Sequence, residues 1–334
     1  MLRNAVTDAL TYLLPFRSAR AVSEELLAYL SYLVDTGVLA DIIVIDGSTE
    51  GVFDDLHARL PPGVRHVRVA PDLATLANGK AAGVLTGIRC AATPYLIVAD
   101  DDVRYDAAGV IALRHALHRA DVVRPQNYFA PLPWHACLDT ARSLINRVTG
   151  GDWPGTLGVR RAVLERTGGY DGNVLFENLE LVRTVRAAGG RESRPLHLLV
   201  RRLPPRTNHF LSQRVRQAYD EFARPARLLI WLSVIPVLLL AARRNRLLFG
   251  GLLLAPMALA EAGRRVGDGV RVFPARATLA APLWVLERGV CAWLAVSARV
   301  ILGGVPYHGR VLSRAATPYR TLVSRHASKA EQGS

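Results

Sequence analysis

The sequence predicts an α/β fold: a mostly parallel sheet with helices on its faces, followed by an apolar helical module. Three observations predict it. Apolar, β-branched runs alternate with stretches of helical spacing through the first half of the chain. Acids stand at or near the ends of these runs, and two long uncharged apolar runs follow in the second half. A chain of 334 residues, 50% of them hydrophobic, is long enough for one large core plus a second module.

Leu10 to Phe16 reads as the first strand, ending at Pro15 and Arg17, and Ala21 to Val34 follows with helical spacing at Val22, Leu26, Leu30 and Leu33. The run ADIIVIDGSTEG is β-branched and ends in the turn Asp46-Gly47-Ser48. Strand, helix, strand with short connections is the repeating unit of a parallel sheet. After the turn Pro61-Pro62-Gly63, Val64 to Ala70 reads as a third short strand. Asn78-Gly79-Lys80 opens a helix running to about Ala92, with Val84, Gly87 and Ile88 on its inner side. Free N–H groups and positive potential at a helix start suit Lys80 to a diphosphate; a surface lysine on a turn is the plain alternative.

Tyr95 to Ala99 is the fourth strand, and it stops at Asp100, Asp101 and Asp102. Two like charges about 4 Å apart repel by roughly 1 kcal/mol in water and several times more near a protein surface, so such a cluster calls for a cation. Mg²⁺ or Mn²⁺ is the natural candidate, because both favour oxygen ligands and hold phosphates as well as protein. A solvated acidic turn is the alternative for the triplet alone. Ligands of open α/β sheets bind outside the carboxyl ends of the strands, which would set Pro15 with Arg17, Asp46, and Asp100 with Asp102 along one edge.

PFRS at 15–18, VIDGSTE at 44–50, NGKAAGVLTGI at 78–88 and LIVADDDVR at 96–104 resemble, in this order, the nucleotide-sugar-binding half of family 2 glycosyltransferases of the GT-A fold. The resemblance implies a Rossmann-related mixed sheet flanked by helices. It also implies that Asp46 binds the nucleotide base or ribose, and that Asp100 and Asp102 begin and end a DxD motif, with Asp102 a direct metal ligand. Ile45 stands where the family often has a further acid before Gly-Ser.

Asp121 to Asn127 reads as another strand and Trp134 to Val148 as a helix suited to an acceptor-side wall. Trp134 and Trp153 are candidates to stack on a sugar or lipid headgroup, or plain core plugs. GTLGVRRAVLE followed by GGYDGNVLFENLELVRTVRAAGG resembles the family's second signature, whose acidic helix start supplies the catalytic base. Phe176, Leu179, Val182 and Val185 recur at helical spacing, so Glu177 and Glu180 share the first turns, where acids are also favoured by the helix dipole alone. Asn178 replaces the usual Asp. An amide accepts no proton at neutral pH, so the base is Glu177 first, then Glu180 or another carboxylate, unless the acceptor is already ionised, as a phosphate is. Gln213-Arg214-Val215-Arg216-Gln217 resembles the QxxRW motif of processive and lipid-glycosylating members, with Gln217 in place of Trp. The resemblance implies that Arg216 neutralises the leaving diphosphate; an arginine-bearing helix on a membrane surface is the alternative. His209 is a candidate further metal ligand.

The net charge of +14 calls for an anionic partner. Lysine occurs only at 80 and 329, which singles out Lys80. Nucleic acid is disfavoured, because the positive charge gathers near apolar segments rather than among aromatics. Cys90, Cys137 and Cys291 show no paired spacing and fit a reducing compartment. Asp8 interrupts the N-terminal apolar stretch, so a cleaved signal peptide is not expected.

Leu228 to Ala242 and Leu247 to Ala260 are uncharged and apolar, separated by Arg243-Arg244-Asn245-Arg246. Each covers about 22 Å against a hydrocarbon core of about 30 Å, which is short for a free span unless arginines snorkel. Leu279 to Leu302 carries Glu287, Arg288 and Arg299 and reads as an amphipathic or packed helix. A buried helical subdomain is the alternative to a membrane module.

The expectation is therefore a GT-A-like domain at 1–222, a membrane-associated helical module at 223–303, and a basic tail at 304–334 with a disordered end. The expected activity is metal-dependent transfer, with inversion, of a sugar from a nucleotide-sugar donor to a lipid or lipid-linked acceptor. The catalytic side would face the cytoplasm. Asp100 and Asp102 would hold the metal; Pro15, Arg17, Asp46, Lys80, Asp100 and Arg216 would bind substrate; Glu177 or Glu180 would act as base. A nucleotidyltransferase on the same sheet and a non-catalytic nucleotide-sugar-binding membrane protein, the latter favoured by Asn178, are the rivals.

Overall fold

The computed structural model describes residues 8–307 and 310–332. The signal-peptide expectation concerns in part residues 1–7, which lie outside the described residues, as do 308, 309, 333 and 334 of the tail. Strands β1 (Leu10–Phe16) and β2 (Asp41–Asp46) are joined by α1 (Glu24–Asp35), whose cap Ser23 accepts from the Leu26 amide. Helix α2 (Glu50–Arg59) leads to β3 (Val64–Arg68), and α3 (Gly79–Cys90) leads to β4 (Tyr95–Ala99). These strands run parallel in the order β3-β2-β1-β4. Their carboxyl ends therefore share one edge.

Both faces of this sheet are covered, which is why its strands read as unbroken apolar runs. Tyr12, Leu14 and Ile97 point into one core with Leu30 and Leu33 of α1, while Leu13, Ile43 and Val98 point into the other with Val84 of α3.

The chain then leaves the parallel pattern. Strand β5 (Val103–Arg104), α4 (Ala107–Leu117), β6 (Val122–Val123), β7 (Gln126–Phe129), α5 (Trp134–Val148) and β8 (Thr156–Arg160) follow. β8 runs antiparallel to β4 and β6, making the seven-stranded sheet mixed. The single strand expected over Asp121 to Asn127 is in fact two, in different sheets. Pro125 has no N–H to give a ladder; Arg124 donates to Ser193 on one side of it and Gln126 to Leu198 on the other, so the chain changes sheet there.

Helices α6 (Arg161–Thr167) and α7 (Glu177–Ala187) precede β9 (Glu192–Ser193), which completes the large sheet, and β10 (Leu199–Arg202). β10 lies between β5 and β7 and sets Arg202 opposite Val103. Short helices α8 (Thr207–Ser212) and α9 (Arg214–Tyr219) and a 3₁₀ turn (Asp220–Ala223) lead into the apolar segment.

The two apolar runs form α10 (Pro225–Arg244) and α11 (Arg246–Arg265), with Asn245 between them capping the second through the Leu248 amide. Both are long and apolar enough to cross a membrane, and only 6% and 17% of their apolar windows are buried. After α12 (Arg276–Leu279), α13 (Ala281–Leu302) buries Trp284, Arg288, Cys291 and Ala295 and exposes Leu283, Leu286, Val290 and Leu294. The tail does not simply trail away. Strands β11 (Val305–Tyr307) and β12 (Arg310–Leu312) pair, and α14 (Tyr319–Gln332) packs near α7. The amides of Leu175 and Phe176 donate to the carbonyls of Arg314 and Ala315, tying this segment to the loop before α7.

Candidate active site

The turn after β4 is where the sheet presents its acids. The Asp100 amide donates to the Gly155 carbonyl and the Val103 amide to the Asp100 carbonyl, which folds the triplet back on itself. Lys80 reaches this turn from the first turn of α3: its Nζ lies 2.5 Å from Asp100 Oδ1 and 2.8 Å from Glu177 Oε1. Burial alone would lower the Lys80 pKa, but the two carboxylates outweigh it and hold it above the usual lysine value. Arg202 closes the other side. Its Nε donates to both oxygens of Asp102 at 2.9 Å, and its Nη2 lies 3.3 Å from Asp100 Oδ2. Burial and the charges of Asp100 and Asp101 push the Asp102 carboxyl up, and Arg202 opposes them.

The cleft over this turn holds about 270 Å³. Lys80, Asp100 and Glu177 line one side and Arg216, Asp220 and Tyr307 line it as well, so side chains from α3, β4, α7, α9 and the tail converge. Trp153 lies in the wall, edge-on to Phe176 at 5.1 Å with the Arg124 guanidinium 4.1 Å from its ring. Trp134 is largely exposed and packs on Phe210 outside the cleft. Gln217, in the place of the QxxRW tryptophan, accepts from Arg142 at 3.1 Å and from Arg214 at 2.6 Å.

Several expectations meet a different geometry. The α3 start offers less free N–H than its sequence implied, because the Asn78 side chain accepts from the amides of Lys80 and Ala81; the ammonium, not the helix end, faces the cleft. Asp46 sits on the shared edge but is buried, accepting from the Ser48 amide at 2.7 Å and lying 3.3 Å from His66 Nε2. Burial works to raise its pKa, and these bonds prevail to lower it. Pro15 lies under Gly83 of α3, and Arg17 is exposed beyond β1; neither lines the cleft. Glu180 is turned away altogether: it is fully buried and accepts from the Thr317 amide at 2.6 Å. Asn178 donates to the Pro154 carbonyl at 3.1 Å and so braces a loop. His209, on α8, contacts Gln213 and is not among the residues that line the cleft.

Among the described residues no group of three or more His, Cys, Asp or Glu gathers as a complete metal cage. Asp100 and Asp102 nevertheless suit a hard cation that takes one or two carboxylates and completes its shell with substrate phosphates and water. Gly155 leaves the space beside them open, since a Cβ there would stand 2.7 Å from Asp100 Oδ2 and 3.0 Å from Arg202 Cζ.

No protein-family model matches the sequence, and no curated protein does. Among solved structures, the chain is similar to glycosyltransferases. One is the mannosyltransferase PcManGT from Pyrobaculum calidifontis in complex with GDP-Man and Mn²⁺, at 18% identity over 95% of this chain and 84% of that one, with a TM-score of 0.46. Another is glucosyl-3-phosphoglycerate synthase from Mycobacterium tuberculosis in complex with Mn²⁺, UDP and phosphoglyceric acid, at 18% identity over 61% of this chain and 74% of that one, with a TM-score of 0.41. The same synthase with Mg²⁺ and UDP aligns at 17% identity over 64% and 78% of the two chains, with a TM-score of 0.42. At these scores the likeness carries no functional inference.

Arg202 and Arg142 were not legible as site residues. Nothing marks them among the many arginines; the pairing of β10 with β5 brings Arg202 to Asp100 and Asp102, and the loop after α5 folds back to bring Asp152 to Arg142.

Proposed function

We propose that the chain is a metal-dependent glycosyltransferase that moves a sugar, with inversion, from a nucleotide-sugar donor to a lipid or lipid-linked acceptor at a membrane. The observation that carries this is the joined row Glu177, Lys80, Asp100, Arg202, Asp102 at the carboxyl edge of the parallel strands. Such a row offers fixed cations to a diphosphate and oxygens to a metal in one place. Asp100 and Asp102 would hold Mg²⁺ or Mn²⁺, which when bound offsets charge developing on the leaving diphosphate. Lys80 and Arg216 orient the same diphosphate from the cleft walls. Asp46 lies two strands along the same edge, roughly 10 Å away by strand spacing, a distance that suits the nucleoside end of the donor. Arg17 stands at the same edge.

Glu177 in this reading positions Lys80. Its carboxylate is already engaged by the Lys80 ammonium, and Glu180 faces the tail. The membrane side is supported by α10 and α11, whose Leu229, Leu239, Leu247 and Leu254 are exposed. Arg224, Arg227, Arg264 and Arg265 stand at the base of this pair and Arg243, Arg244 and Arg246 at its tip, so charge alone does not orient it, and the cytoplasmic side for the catalytic domain is part of the proposal.

The test is incubation of the purified chain with radiolabelled nucleotide sugars, Mn²⁺ and membrane lipid extract. Label entering the lipid phase with release of nucleoside diphosphate is the expected result. Release of pyrophosphate would indicate nucleotidyl transfer, and binding with no turnover would indicate the non-catalytic reading that Asn178 favours.

A further inference from the structure

Resting on this reading, we infer that Asp220 is the group that takes the acceptor's proton. Five carboxylates line the cleft: Asp100, Asp152, Glu177, Asp220 and Glu221. Asp100 is held by Lys80 and Arg202, Asp152 by Arg142, Glu177 by Lys80, and Glu221 by Arg224 and Arg227. Asp220 alone makes no ion pair or side-chain hydrogen bond among the described residues. The other four already turn their oxygens to a cation, so the unengaged one is the carboxylate open to an acceptor hydroxyl.

Its place in the chain supports the role. Asp220 opens the 3₁₀ turn that runs through Arg224 into α10, so it stands where the cleft meets the apolar module from which a lipid-borne acceptor would enter. Its charged surroundings come from several elements. Arg216 of α9 and Arg224 favour the ionised form, whereas Glu177 of α7 and Glu221 oppose it. Burial prevails over the arginines and pushes the carboxyl up to about 7. A base with that value is ionised in part at neutral pH yet basic enough to accept a proton from a hydroxyl in the transition state.

The step balances without a further reactant. The acceptor O–H bond breaks as its proton passes to an Asp220 Oδ, and the acceptor oxygen bonds to the anomeric carbon. The bond from that carbon to the diphosphate oxygen breaks, and the nucleoside diphosphate leaves with the electron pair.

The experiment uses the full chain in detergent with radiolabelled UDP-glucose and GDP-mannose, Mn²⁺ and membrane lipid extract, comparing wild type, Asp220→Asn and Asp220→Glu across pH 5.5–9. Asp220→Asn should keep UDP or GDP affinity within about threefold, lose at least about 100-fold in kcat and lose the acid limb near pH 7. Asp220→Glu, which retains a carboxylate, should recover at least about a tenth of the wild-type rate with a displaced limb. Transfer by Asp220→Asn at the wild-type rate, or no advantage of Asp220→Glu over it, overturns the inference and leaves the glycosyltransferase reading standing. Failure of the wild type to move label from either donor removes that reading, and this inference with it.

Discussion

Lys80 joins two carboxylates from separate elements, and its removal should be felt on both. Lys80→Met leaves Glu177 without its cation and Asp100 with Arg202 alone. Hydrogen bonds to charged groups contribute about 1.5–3 kcal/mol, so UDP or GDP affinity in Mn²⁺ should fall roughly 10- to 100-fold by calorimetry, with the fold intact by circular dichroism. Asp220 makes a prediction about stability that is separate from its role in transfer. Its folded pKa of about 7 lies above the unfolded aspartate value of about 3.9, so between these the folded state keeps a proton that the unfolded state has lost. Wild-type stability on this account falls as pH rises from about 4 to 7 and is flat beyond. Asp220→Asn removes the dependence, and its Tm should exceed that of wild type at pH 8 by more than at pH 4.5. Lys80 was legible as one of two lysines in an Arg-rich chain and Asp100 as an acid ending an apolar run. Asp220 was not, because nothing local to an Asp in a basic helical stretch tells which cleft it faces or which cations leave it alone.

Two helix seatings decide how the outer elements hold on to the sheet domain. Helix α11 meets α5 at Gly263, where an added Cβ would stand 1.8 Å from the Leu144 carbonyl oxygen. Because the obstacle is backbone, no rotamer relieves it. Gly263→Ala should cost several kcal/mol or unseat the C-terminal end of α11, read as a lower Tm and as new protease cleavage near residue 265. Helix α7 instead receives the tail, with Glu180 taking the Thr317 amide and Arg183 donating to the Thr317 carbonyl. Burial pushes the Glu180 carboxyl up, so this contact is held inside the protein rather than in water. Glu180→Ala leaves the Thr317 amide without a partner and should lower stability by about 1–3 kcal/mol while UDP or GDP affinity stays unchanged. Glu177 and Glu180 look alike in the sequence, three apart on one helix start. A net offset of about 60° and a rise of about 4.5 Å between them are enough to set one at the cleft and the other at the tail. Strands and helices of the parallel half were legible because periodicity is local; the division at Pro125 was not, because the partner strands lie far along the chain.

At the scale of the whole molecule, α10 and α11 present exposed apolar faces with arginines at both ends. Replacing Leu247, Leu248 and Leu254 by Ser should reduce flotation with anionic vesicles severalfold, while complete release of the wild type by carbonate washing would remove the integral-membrane reading. What the sequence by itself determined is the part that depends on neighbours along the chain: apolar strands ending in acids, a lysine at a helix start, two long uncharged apolar runs. The tertiary structure decided which charges meet. Arg202 is a hundred residues from Asp102 and Tyr307 is far beyond Lys80, yet they border the same space because antiparallel pairing and a returning tail set them there. Ion pairing falls off steeply with distance, so the chemical character of each acid follows from these long-range neighbours and has no signature in its own stretch of chain.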